Sequence, residues 1–137
     1  MVTLQRILQA NGLSCLLFGL AFLVVPNDIG MFLGAEEPAP ALAFQLVGSI
    51  LLFNGLHLWW AASRAVVSKW LVLYFSLGDL LWVIGSLALL INGLWITTDA
   101  GIAATLVVAV MVGVFGVLQL KHLISQAPSG QARAVGQ

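Results

Sequence analysis

The chain has 137 residues, 61% of them apolar and only 7% charged, with five basic and five acidic side chains and a formal net charge of zero. A soluble domain of ordinary composition carries roughly 25% charged residues, so this composition excludes a water-soluble globular fold. Five scattered cations make no phosphate-tracking patch, which excludes nucleic-acid binding, and the single cysteine, Cys15, excludes an internal disulfide, a CxxC redox pair and a cysteine-rich metal site.

A helix rises about 1.5 Å per residue through a hydrocarbon core about 30 Å thick, so each crossing needs about 20 largely apolar residues. The first such stretch covers about 4–25 and closes at Pro26-Asn27. Arg6 precedes its apolar run, but that run is longer than a signal-peptide core. Leu23-Val24-Val25-Pro26 also offers no small-residue cleavage site, so the segment is expected to stay as a span. Asp28 to Gly34 has a capping-type residue, an apolar centre and a closing glycine, and predicts a short helix in the membrane interface. Ala35 to Pro40 is an acidic link stiffened by proline. The second span covers about 41–62, and the tight turn over 63–68 predicts that spans two and three are antiparallel neighbours. The third covers about 69–91 and the fourth about 101–120. Residues 125–137 are rich in Gln, Ala, Ser and Gly and predict a disordered cytoplasmic tail. The expected fold is therefore all-α: one domain over 1–124, a polytopic up-down bundle of four transmembrane helices.

Charge placement sets an expected orientation. Arg6, Arg64, Lys69, Lys121 and Arg133 all fall on one side of the membrane, whereas Asp28, Glu36, Glu37 and Asp99 fall on the other. By the positive-inside rule both termini are expected in the cytoplasm (N-in/C-in), in what would be a bacterial inner membrane. Trp59, Trp60, Trp70 and Tyr74 lie at the expected inner boundary and Trp95 at the outer one, where amphipathic rings have one wet and one dry end.

One charge does not follow this sorting. Asp79 lies about ten residues into span three, near the bilayer midplane, where an aspartate costs roughly 2.5–3.5 kcal/mol on insertion scales. Ser76 and Ser86 share its helix face, and Trp82, three residues on, has an indole N–H that needs an acceptor. Asn11 in span one, and Asn54 and His57 in span two, fall at a similar depth, the last two on one face. An Asp and a His on adjacent helices can relay a proton or bind a cation. The plainer expectation is that these groups hydrogen-bond one another and fix the helix packing.

Small residues mark expected contact faces, because helices in lipid associate by close backbone approach. Gly12 and Gly19 in span one are seven apart, as are Gly48 and Gly55 in span two. In span four Gly101, Thr105, Ala109 and Gly113 recur every four residues, with Gly116 and Gln119 on the same third of the helix. There is no HExxH, GxSxG or glycine-rich phosphate loop, and no metal-ligand spacing, so no enzyme, cofactor or metal is expected.

Asn11-Gly12-Leu13-Ser14, Phe18-Gly19, Pro26, Phe32-Leu33-Gly34 and above all Gly78-Asp79-x-x-Trp82-Val83-x-Gly85-Ser86 form a recognisable set. Up to Gln119 the chain resembles small, uncharacterised four-span proteins of bacterial inner membranes. That resemblance implies a membrane location and marks Asp79 and Trp82, with no activity attached. The expected function is a non-enzymatic structural or accessory subunit that meets the lipid bilayer and assembles with itself or with other membrane subunits. The alternative is a small transporter or proton/cation-conducting protein that uses Asp79.

Overall fold

A computed structural model describes residues 3–135 and the side chains of residues 3–125. Apart from Ser125, the tail expected over 125–137 lies outside those described side chains. The described residues form five helices: α1 (Leu4–Val24), α2 (Pro26–Leu33), α3 (Ala41–Ala62), α4 (Lys69–Ile91) and α5 (Asp99–Val135). Four of them, α1, α3, α4 and the Asp99–Ser125 part of α5, are long and apolar enough to cross a membrane.

Local chemistry explains where each helix begins and ends. The Thr3 hydroxyl accepts from the Arg6 amide at 3.3 Å to open α1, and the Ser68 hydroxyl accepts from the Trp70 amide at 3.3 Å to open α4. Pro26, with no N–H to lose, starts α2 directly after α1. At the far end of α4, Gly93 adopts φ +60°, and the Leu94 and Gly93 amides donate to the carbonyls of Leu89 and Leu90. This is a Schellman closure, which glycine enters without steric cost.

The next turn is unusual, because Trp95 also has a positive φ of 65°. A bulky residue there costs on the order of 1–3 kcal/mol unless its surroundings hold it. Here they do. The Thr97 and Thr98 amides both donate to the Leu33 carbonyl at the end of α2, at 2.9 and 3.1 Å. The Thr98 hydroxyl donates to the Phe32 carbonyl at 2.6 Å and accepts from the Gly101 amide at 2.9 Å. One side chain thus closes α2 and caps α5.

The backbones approach in two antiparallel pairs, α1 with α3 and α4 with α5, joined mainly along α1 and α5. In the first pair glycine faces glycine. A methyl group added at Gly19 or at Gly48 would lie 2.8 Å from the other's carbonyl oxygen, and one at Gly55 would lie 2.9 Å from that of Gly12. In the second pair a methyl at Gly116 would lie 3.2 Å from the Asp79 Cβ, and one at Gly113 would lie 3.6 Å from Val83. Gly101 packs against the Leu33 backbone, and Ala109 is buried. Thr105 donates to the Gly101 carbonyl within its own helix. The small residues of span four therefore face inward, onto α4 and the end of α2.

The expected pairing of spans two and three is not met along their length. Consecutive in sequence, α3 and α4 do not pack backbone to backbone. Glycines commit α3 to α1 and α4 to α5, and the turn over 63–68 joins the two pairs at one end only. There the two helices meet through side chains, in a buried cluster of Leu8, Cys15, Leu58, Ala61, Ala62 and Phe75. Elsewhere the outward faces carry exposed apolar side chains such as Leu81, Ile84, Val107 and Val110, as helices that meet lipid rather than water would.

Candidate functional site: a polar seam around Asp79

All four long helices send a polar side chain to one place. Asn11 and Cys15 are one turn apart on α1, so they share a face. Asp79 comes from α4, Gln119 from α5 and Asn54 from α3. The Asn11 amide Nδ2 donates to both Asp79 oxygens, at 2.9 Å to Oδ2 and 3.2 Å to Oδ1. Gln119 Nε2 donates to Oδ2 at 2.8 Å. Behind Asn11, the Cys15 thiol lies 3.8 Å from Asn11 Oδ1, and Asn54 Nδ2 lies 3.5 Å from the Cys15 sulfur. The result is a hydrogen-bonded chain running Asn54, Cys15, Asn11, Asp79, Gln119 across the bundle.

The seam is buried among the helices. Asp79 is 5% exposed, Asn11 1% and Gln119 fully buried. Gly116, lying against the Asp79 Cβ, lets α5 come close enough for the Gln119 amide to reach the carboxyl group. Amide N–H groups from α1 and α5 engage both oxygens. Each such hydrogen bond contributes about 0.5–1.5 kcal/mol net, which offsets part of the cost of placing an aspartate at this depth.

Two acceptors beside the carboxyl group are left over. The Ser76 hydroxyl, one turn before Asp79, and Gln119 Oε1 are buried and have no hydrogen-bond partner. Most buried polar atoms in folded proteins are satisfied, so these two unpartnered oxygens stand out.

The remaining sequence candidates divide. Asn11 and Asn54 join the seam as their depths suggested. His57 does not reach Asp79. It sits among Phe53, Trp60, Tyr74 and Phe75, with ring centroids 5.2–5.8 Å away, and its Nδ1 is buried without a partner. Trp82 is half-buried and makes no hydrogen bond to Asp79, whose partners are Asn11 and Gln119; Ser86, also half-buried, is not among them either. Gln119 is the participant that a candidate list built on depth misses. Its signal was its place on the small-residue face of span four, one turn from Gly116. Cys15 likewise links two asparagines, Asn11 and Asn54.

Among the described residues no group of three or more His, Cys, Asp or Glu side chains gathers at one point. A shallow, open hollow of about 360 Å³, lined by Val117, Leu120, Lys121, Ile124 and Ser125, lies on α5 away from the seam and is almost wholly apolar. No known protein family, no curated protein and no solved structure matches the chain.

Proposed function

We propose that this chain is a non-enzymatic structural protein of a membrane, acting as a self-assembling or accessory subunit whose polar seam sets how its helices pack. The observation that carries this reading is the enclosure of Asp79, whose oxygens are both engaged by amides from two other helices in a packed interior. Buried polar groups that hydrogen-bond one another between helices support a packing role. The sorting of charges supports an up-down arrangement with both termini in the cytoplasm of a bacterial cell. Assembly is supported by the outer face of α4. Gly78 and Gly85, seven apart, have nothing packed against them, although the glycines of α1 and α3 are filled by neighbouring backbone.

The test uses the full chain in liposomes, with donor- and acceptor-labelled copies diluted progressively in lipid. Energy transfer should persist on dilution and fall several-fold in Gly78→Ile/Gly85→Ile. A chain that is monomeric at every dilution, and that cross-links to no other membrane subunit in native membranes, would overturn the assembly reading.

A second reading, a small transporter or proton/cation-conducting protein using Asp79, is favoured by the orphan oxygens of Ser76 and Gln119. Flux into liposomes under a proton or sodium gradient separates the two readings. A flux that Asp79→Asn abolishes would establish conduction and displace the structural role. Equal, background-level flux in both proteins supports the structural one.

A further inference from the structure

Away from the seam, the end of the molecule where α3 turns into α4 carries chemistry that neither packing nor assembly uses. Arg64 sits in the turn and Lys69 opens α4. Every acid of the chain lies elsewhere: Asp79 in the seam, and Asp28, Glu36, Glu37 and Asp99 near α2 and the start of α5. The positive charge of this end is therefore uncompensated. The first turn of α4 holds no acid either, so the partial positive charge of its free amides adds to that of Lys69.

Both cations are held in place. The Arg64 guanidinium carbon lies 4.5 Å from the centroid of the Trp60 ring, and the Lys69 ammonium 5.3 Å from that of Trp70. Such cation–π contacts restrict two long side chains in advance, so less freedom is lost when a ligand arrives. The rings themselves are turned outward, Trp70 being 69% exposed and Trp60 46%. Amphipathic rings at the end of a span prefer the headgroup level. Beyond them α3 and α4 do not pack backbone to backbone, so apolar chains can lie along their flanks.

We infer that the α3–α4 turn is a binding site for an anionic phospholipid, with Arg64 and Lys69 holding the phosphate between Trp60 and Trp70. Arginine offers a planar fork to two phosphate oxygens, and lysine a point charge. A soluble anion would meet the same charges, but it would gain nothing from the exposed rings or the apolar flanks, and those favour a lipid.

The experiment measures quenching of tryptophan emission from the full chain in phosphatidylcholine vesicles. A minor fraction of the lipid is either brominated phosphatidylglycerol or brominated phosphatidylcholine. The expected result is stronger quenching by the glycerol lipid, weakening as salt is raised. The preference should fall about fivefold for each cation removed in Arg64→Gln and Lys69→Gln, at about 1 kcal/mol per cation near the surface. Lys121→Gln, which removes a cation from α5 instead, should keep it. If the double variant loses helicity, the two single variants are read in its place. Equal quenching by both lipids overturns the site, as does a preference that survives without Arg64 and Lys69. Equal loss in Lys121→Gln would reduce it to a diffuse surface potential, and displacement of the lipid by a soluble polyglutamate would reassign it to an acidic protein partner.

Discussion

Two neutral amides, those of Asn11 and Gln119, supply the hydrogen bonds that Asp79 receives in the middle of the bundle. Removing Asn11 leaves Oδ1 without a donor, and removing Gln119 leaves Oδ2 with the Asn11 amide alone. Such a loss costs about 1–3 kcal/mol, and more where the group is charged. Asn11→Ala and Gln119→Leu should each lower stability by about that much in detergent, followed as loss of helicity on titration with a denaturing detergent. The Asn11 change should be the larger, because its amide spans both oxygens. Each should also show coupling to Asp79→Asn of at least about 0.5 kcal/mol in a double-mutant cycle, as expected for groups in one network. Asp79 was legible in the sequence because a lone acid inside an apolar run has no other reading, and depth alone brought Asn11 and Asn54 to it. Depth could not tell which way a helix is rotated, and there the reading fell short. His57 has the depth but turns into a cluster of rings, whereas Gln119 faces Asp79 because Gly116 lets α5 approach.

Helices here are joined by backbone contact where glycines face one another, and by side chains elsewhere. At Gly19 and Gly48 an added methyl would meet a carbonyl oxygen at 2.8 Å, and neither backbone can retreat without parting α1 from α3. At Gly78 and Gly85 it would meet nothing. Gly48→Val should therefore abolish the folded bundle or cost several kcal/mol, while Gly85→Ala should leave stability unchanged or raise it by up to about 1 kcal/mol through helix propensity. Thermal aggregation in detergent distinguishes the two outcomes. Gly34→Ala belongs with the severe class for a different reason. Its methyl would run into the Trp95 carbonyl, in the turn where Trp95 already holds a strained φ. That variant should release the α4–α5 turn from α2 and speed amide exchange at Thr97 and Thr98, whose N–H groups now donate to Leu33. The limits of α1, α3 and α4 were readable because apolar length and Pro or Asn breaks determine them, whereas α5 runs on beyond the 120 expected for span four, to Val135. The pairing of spans was not, since a short turn says only that two helices share an end. The glycine faces of α1 and α3 decide which helix each lies against.

Across the molecule, charge is divided between the two ends, and the proposed orientation rests on that division. Packing places Arg6, Arg64, Lys69 and Lys121 at the end where α1 begins and α3 meets α4. Asp28, Glu36, Glu37 and Asp99 lie at the other, where the α4–α5 turn is bonded to the end of α2. Because insertion reads basic residues in short flanking segments, this division predicts a single orientation with no inverted population. A fluorescent-protein fusion at the C-terminus, which folds only in the cytoplasm, should be bright. An alkaline phosphatase inserted between Glu37 and Pro38, which matures only outside it, should be active. The reciprocal pair should both be silent. The charges also predict how to break the arrangement. Arg64→Glu/Lys69→Glu removes the basic signal from the turn between α3 and α4, leaving Arg6 to orient α1 and Lys121 to hold the end of α5. The α3–α4 hairpin then loses the reason to keep its turn inside, and a fraction of chains should expose that turn to a protease added from the outer side. Those chains cannot form the Asn11–Asp79–Gln119 contacts, since Asp79 would sit on a helix inserted in the wrong sense, so they should be cleared from the membrane. Unchanged protease resistance at full abundance would show that helix packing, and not charge, sets the topology.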